Sequence, residues 1–338
     1  MKRVAVVLLA FAVLTGSGAA AAGPADQALE DTVVWYGTPG TRAYVQPALD
    51  VWAKLHPHTA INVVEGNGPD ILERVNTEAR AGHPVADLIT LGDLAMWELA
   101  SVNGLGTYAP NLVPNVRSVV PRIKDLVDPQ HRFVPTYLIL FGMTVNTNAL
   151  APAQQPSRWS DLLDPKYAGQ IGMHDIGVLG AGLSLVMVGR AALGDSFFQN
   201  IVSKQQPRIY GRAPELDAAV QSGGRAIAIP STYGNAMQAK GAPIRWIAPK
   251  DGVFFVAVYT GMVKNATHPR AAQAFMNFLL DRDTQSAIAA ANLIPVTTLA
   301  ASPVDLSKLK FLGKGSITED QATHLNDWLA IGQHLKGE

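Results

Sequence analysis

The chain has 338 residues with 27 basic and 27 acidic side chains and so no formal net charge, which gives no electrostatic case for a nucleic-acid partner or an anionic membrane. It contains no cysteine, so disulfides, thiolate metal sites and a lipid anchor on an N-terminal cysteine are excluded. Only 16% of residues are charged against 48% hydrophobic, a balance that fits a compact α/β protein and argues against disorder.

Met1-Lys2-Arg3, an apolar run from Val4 to Leu14 and small residues through Ala22 read as a secretory signal peptide over residues 1–22,. The run is too short to span a bilayer comfortably; an uncleaved anchor is the alternative. The expected destination is the periplasm. The roughly 315 residues that follow exceed one ordinary core and suit two domains.

From Val33 to Asp93 an apolar strand ends in a Gly/Pro/Thr turn, and Val45, Leu49, Trp52 and Leu55 at near-3.6 spacing predict a helix,. A second strand over 60–64 ends at Gly66 and Gly68, and a helix and a third strand over 87–91 complete a β-α-β-α-β unit. In such sheets ligands sit beyond the carboxyl ends of the strands, where helix N–H groups point outward. A helix over 93–102 follows, then strands over 132–137 and 142–146. The second half alternates strands at 171–174, 208–210, 226–229, 244–247 and 254–259 with helices at 182–193, 197–204 and 214–222. Helices over 270–281 and 283–292 come next, and a last one over 318–335 opens with a capping box from Thr318 to Gln321,. Alternating strands and helices predict a mainly parallel sheet covered on both faces.

Several ordered segments carry a resemblance. Beyond the first unit they are Ser160-Asp161-Leu162-Leu163-Asp164-Pro165-Lys166-Tyr167-Ala168-Gly169-Gln170-Ile171-Gly172, then Lys240-Gly241-Ala242-Pro243 leading to Pro249-Lys250-Asp251-Gly252, and His268-Pro269 with Ala271, Ala272, Ala274 and Phe275. Over residues 30–300 this resembles the type II periplasmic solute-binding proteins of ABC importers, in the group that includes ferric-iron and phosphonate binders. The resemblance implies two lobes joined by two hinge crossings, the first over 135–142. Lobe 1 would comprise residues 27–138 and 258–338, and lobe 2 residues 139–257. It implies a monomeric receptor, not an enzyme, that closes on a small ligand and delivers it to a permease; a sensory receptor would use the same fold. Porphobilinogen deaminase shares the architecture but needs a cofactor-bearing cysteine, and a Gly-x-Ser-x-Gly motif is missing,.

The strand-end loops supply the candidate ligand residues. In lobe 1 they are Tyr36, Thr38, Gly40, Thr41, Glu65, Asn67, Gly68 and Asp93. Hydroxyls and glycine N–H groups at helix starts suit an anion, although Thr38, Asn67 and Asp93 would equally serve as helix caps. In lobe 2 they are His174, Asp175, Arg212, Ser231, Thr232 and Tyr233. Arg212 would pair with a carboxylate or phosphonate, or with Glu215 or Asp217 in a surface ion pair. Trp35 reads as core. An organic anion (phosphonate, phosphate ester or carboxylate) is the expected ligand, with no cofactor. Ferric iron, Fe3+, is the alternative cargo, since the resemblance places Tyr233 near the tandem tyrosines of ferric binders, with Glu65 as a further hard oxygen ligand. The chain departs from that pattern: Thr232 and Gly234 flank Tyr233, so the pair is absent.

Overall fold

The computed structural model describes residues 29–337; the predicted signal peptide lies outside the described residues. One mixed sheet runs through the molecule. Its first part is β1 (Thr32–Gly37), β2 (Ala60–Glu65) and β3 (Leu88–Gly92), all parallel. Between and after them run α1 (Thr41–Leu55), α2 (Gly68–Arg80) and α3 (Asp93–Ser101). The periodicity read for α1 holds for Val45, Leu49 and Trp52, which are buried, while Leu55 at the helix end is exposed. Trp35 lies in the core, edge-on to Phe275, and its indole N–H donates to Thr90 Oγ1 at 2.7 Å.

The expected pair of strands over 132–137 and 142–146 is one strand, β4 (Phe133–Asn146). Pro135 argues for a break because proline cannot donate to a ladder, but a register shift between Pro135 and Tyr137 absorbs it. After β4 come β5 (Ile171–His174), α4 (Ala181–Leu193), α5 (Asp195–Gln205), β6 (Arg208–Tyr210), α6 (Ala213–Gln221) and β7 (Ile227–Thr232). A short helix not expected from the sequence, α7 (Tyr233–Gln238), precedes β8 (Ile244–Ile247) and β9 (Phe254–Met262). The chain ends with α8 (Pro269–Leu279), α9 (Arg282–Ala290), β10 (Ile294–Pro295), α10 (Glu319–Thr323) and α11 (Leu325–Lys336). The predicted capping box at Thr318 is present, but the helix breaks at His324.

The strands are ordered β2-β1-β3-β9-β4-β7-β5-β6, with β8 and β10 also on β4. Flanking strands are parallel and the central pairs antiparallel. This polarity makes the ligand crevice a consequence of register. β3 ends where Gly92 pairs with Val258, which in turn pairs with Tyr137. β7 ends where Thr232 pairs with Phe141. The carboxyl ends of β1–β3 and of β5–β7 therefore point toward each other from opposite ends of the stretch Tyr137–Phe141, which spans roughly 13 Å at about 3.3 Å per residue.

Two large hydrophobic clusters make up most of the core. Leu138, Leu140, Phe255 and Tyr259 belong to the first; Phe141, Met143, Val145 and Phe254 belong to the second. Side chains alternate along a strand, so Leu140 and Phe141, like Phe254 and Phe255, fall in different clusters, while Val253 joins the first. A third crossing was not read from the sequence. Phe311 packs against the first cluster, whereas Leu312, Ile317 and Leu335 lie in the second. The sequence reading groups residues 258–338 in lobe 1; the packing instead carries the chain after Phe311 to lobe 2, because the apolar face of α11 is buried there.

Elsewhere, buried Asp87 accepts hydrogen bonds from the backbone N–H groups of Val34 and His268 and pairs with His268 Nδ1 at 2.9 Å, which fixes the start of α8 to β1. In lobe 2, β8 lies so close to β4 that an added Cβ at Gly142 would sit 2.5 Å from the Ile247 carbonyl oxygen and 2.8 Å from the Trp246 ring. Replacing Gly142 by alanine is expected to lower the unfolding free energy by about 1–3 kcal/mol through overpacking, measured by urea denaturation. An unchanged midpoint would show that β8 can move away at no cost.

Candidate functional site

The stretch between the facing strand ends forms the floor of the crevice. Side chains alternate along a strand, so Tyr137, Ile139 and Phe141 share a face, and their partners Val258, Val256 and Phe254 share it too,. Phe141 and Phe254 stack with ring centroids 4.8 Å apart. Ile139 packs between the second cluster and a small one formed by Tyr137, Val258 and Ile288.

On the lobe 1 side, Gly40 adopts φ 89° and turns the chain into α1, a left-handed conformation that favours glycine. The turn brings four hydroxyls together. Thr41 Oγ1 is 2.9 Å from Tyr44 Oη, Tyr44 Oη is 2.6 Å from Tyr137 Oη, and Tyr137 also hydrogen-bonds Thr38. Burial first, then the neighbouring Tyr44, holds the Tyr137 phenol well above its usual range and therefore neutral,. Thr38 is half-buried at the strand end, and Thr41 is fully buried. Tyr44 and Tyr137 were not among the sequence candidates. Tyr137 is signalled only by strand register and Tyr44 by its position four residues after Gly40.

The remaining lobe 1 candidates divide. Glu65 accepts the Arg42 backbone N–H at 2.7 Å and so occupies one of the free donors of α1,. Asn67 precedes α2 without capping it through its side chain; its amide approaches Asp70 at 3.3 Å. Gly68 begins α2 beside it. Tyr36 does not reach the crevice: it is buried, and its hydroxyl donates to Glu78 at 2.6 Å beneath the Arg74 guanidinium. Asp93 is also withdrawn, being only 3% exposed. Its Oδ1 accepts the Leu94 N–H at 2.9 Å, and Oδ2 has no hydrogen-bond partner among the described residues. Burial raises its pKa from 3.8 to about 7, offset in part by the Leu94, Ile317 and Ala257 amides,.

On the lobe 2 side a cavity of about 260 Å3 opens between the ends of β5, β6 and β7. His174, Asp175, Ser231 and Thr232 line it, as do Phe141, Asp217 and Asn235, which were not sequence candidates. Asn235 Nδ2 donates to Asp217 at 2.7 Å, and His174 Nδ1 lies 3.3 Å from the Tyr210 carbonyl oxygen. Burial lowers the His174 pKa and raises that of Asp217. Asp175 is turned toward α11, where Lys336 Nζ is 3.1 Å from its Oδ2. Ser231 is buried, its hydroxyl 2.7 Å from that of Thr144. Thr232 caps α7 by accepting the Asn235 N–H. Arg212 is exposed and lies outside the cavity lining, and it makes no ion pair with Glu215 or Asp217 among the described residues. Tyr233 stands edge-on to Trp246 at 5.4 Å. Among the described residues no three His, Asp or Glu side chains gather as a metal set.

The model of the family described as bacterial extracellular solute-binding protein matches residues 83–314. The chain belongs to that family. It is a solute receptor of the type that serves ABC importers. An uncharacterized protein of Haemophilus influenzae is 22% identical over 272 residues, covering 75% of this chain and 78% of its own. Among solved structures, the periplasmic binding protein AfuA of Actinobacillus pleuropneumoniae with fructose-6-phosphate bound is similar at 18% identity and TM-score 0.70, covering 90% of this receptor and 99% of AfuA. Iron-bound HitA of Pseudomonas aeruginosa is similar at 17% identity and TM-score 0.71, covering 90% and 99%. At these identities the structural likeness shows the two-lobed fold.

The withdrawn carboxyl of Asp93 gives this receptor a pH signature. Its folded pKa lies above its unfolded one, so between pH 3.8 and about 7 the unfolded chain binds fewer protons and stability falls as pH rises,. The unfolding free energy of the wild type minus that of Asp93→Asn is expected to drop by about 3 kcal/mol from pH 4 to pH 7, read from denaturant curves at each pH. A pH-independent difference would place the carboxylate in a solvated setting.

Proposed function

We propose that this receptor is periplasmic and monomeric, captures an organic anion between its lobes, and hands it to an ABC permease. A phosphate ester, phosphonate or carboxylate fits. The supporting observation is the hydroxyl relay at the start of α1. Four hydroxyls, of Thr38, Tyr137, Tyr44 and Thr41, share three hydrogen bonds, so one O–H is left to donate outside the relay. The Tyr137 phenol is neutral, and a spare hydroxyl donor beside the α1 N-terminus favours an acceptor group. A ligand that touches this relay and the lobe 2 strand ends together stabilises closure, because only the closed state makes both contacts.

Ferric iron is the competing cargo, since HitA was solved with iron bound. Here Tyr233 faces Trp246 on lobe 2 while Glu65 holds the Arg42 amide on lobe 1. A thermal-shift titration with fructose 6-phosphate, phenylphosphonate, citrate and Fe(III)–citrate separates the two. We expect an anion free of iron to raise the midpoint, and Thr38→Ala or Tyr137→Phe to weaken its binding about tenfold, or about 1.4 kcal/mol for one charge-assisted hydrogen bond. A shift by Fe(III)–citrate alone, with a visible tyrosinate–iron band lost in Tyr233→Phe, would sink the anion reading.

A further inference from the structure

The lobe 2 cavity has a chemistry opposite to that of the relay. No lysine or arginine lines it among the described residues. Its titratable members are His174, Asp175, Tyr210 and Asp217, and Asp175 is engaged by Gly177 N–H and Lys336. His174 directs Nδ1 at the Tyr210 carbonyl. That nitrogen carries the ring proton, and Nε2 is left as an acceptor. Asp217 uses Oδ2 for Asn235 and keeps Oδ1 as a second acceptor. Two donors stand beside them. The Thr232 hydroxyl accepts the Asn235 backbone N–H and so has its own proton to give, and Asn235 Nδ2 has a second hydrogen beyond the one given to Asp217,. Apolar walls come from Phe141, Val178 and Pro230.

A phosphate or carboxylate would meet the Asp217 carboxylate here with no lysine or arginine in the lining to offset it,. An ammonium group would use the acceptors and leave the Thr232 and Asn235 donors unpaired. A hydroxyl group both donates and accepts and so suits both kinds of partner. We infer that Asp217, His174, Asn235 and Thr232 form a hydroxyl-reading subsite that binds the polyol portion of the ligand, at the far end of the Tyr137–Phe141 floor from the anion relay. This rests on the anion reading only for what lies at the other end. The floor's length accommodates a ligand with an anionic head and a hydroxylated body.

Isothermal titration calorimetry on the mature chain tests the subsite with four probes: fructose 6-phosphate, n-hexyl phosphate, fructose and putrescine. The expected result is that fructose 6-phosphate binds the wild type at least about tenfold tighter than n-hexyl phosphate. Asp217→Asn and His174→Gln should each erase that advantage while leaving n-hexyl phosphate unchanged, with the thermal midpoint of each variant confirming that it folds. Equal weakening of both esters, an advantage that survives in both variants, or no binding by either hydroxylated probe overturns the subsite. Putrescine binding that is lost in Asp217→Asn also overturns it, in favour of an amine site. If neither ester binds but fructose does, and Asp217→Asn abolishes that binding, the anion reading falls and the hydroxyl subsite stands.

Discussion

The antiparallel pairing of β4 with β9 is the constraint on which the rest of this molecule depends. The two strands pair from Phe133 against Gly261 to Phe141 against Phe254, with one register shift between Pro135 and Tyr137, and each belongs to both cores. Parallel βαβ units can attach to such a ribbon at either end, but they must run in opposite directions because their anchoring neighbours do. β3 is antiparallel to β9 and β7 is antiparallel to β4. The helix N-termini of the two lobes therefore converge on one short stretch of backbone. The crevice follows from strand polarity alone, before any side chain is specified.

Side chains then give the two ends of that stretch different chemistry. At Tyr137 the register places a phenol among three other hydroxyls. At Phe141 it places an aromatic wall beside a carboxylate and an imidazole. One ribbon face thus runs from a spare proton donor, over the apolar Ile139, to a set of acceptors. The three carboxylates read from the sequence as crevice acids serve other purposes. Glu65 holds a helix amide, Asp175 meets Lys336 and Asp93 is buried. Asp175 still lines the lobe 2 cavity, and beside it Asp217 is a further acid with one oxygen not used by Asn235.

Architecture was legible because it depends on features a sequence displays directly: apolar periodicity, turn glycines and the order of segments. The helix after the Gly/Pro/Thr turn and the strand end at His174 follow from local chemistry, whereas α7 and its cap at Thr232 were not read. What was not legible depends on direction and register. Tyr36 adjoins the first strand-end loop, yet its side chain points into the core toward Glu78. Both faces of β1 are covered, so hydrophobic patterning cannot say which way Tyr36 points. Tyr137 lies in the middle of a strand and contributes only because β4 crosses between lobes there. Asp217 and Asn235 lie inside or past the first turn of their helices, and their partnership spans two separate elements. Loop position identifies where a ligand sits but does not identify the strand and helix residues that reach it.

Phe311 bridges to Val253, and Phe255 donates its N–H to the Gly315 carbonyl, so the C-terminal passage runs beside β9. Beyond the passage α10 packs on α3 of the first lobe, while α11 packs on α4 and α5 of the second. The break between them at His324 is therefore where the terminal segment spans the moving boundary. On the opposite side α7 rests on lobe 1, with Gln238 donating to the Ala291 carbonyl and Gly234 close against Asn292. α7 begins at Tyr233, immediately after the Thr232 that lines the cavity. Asn235 lies on this helix and also lines the cavity, so α7 touches both the lobe 2 cavity and lobe 1.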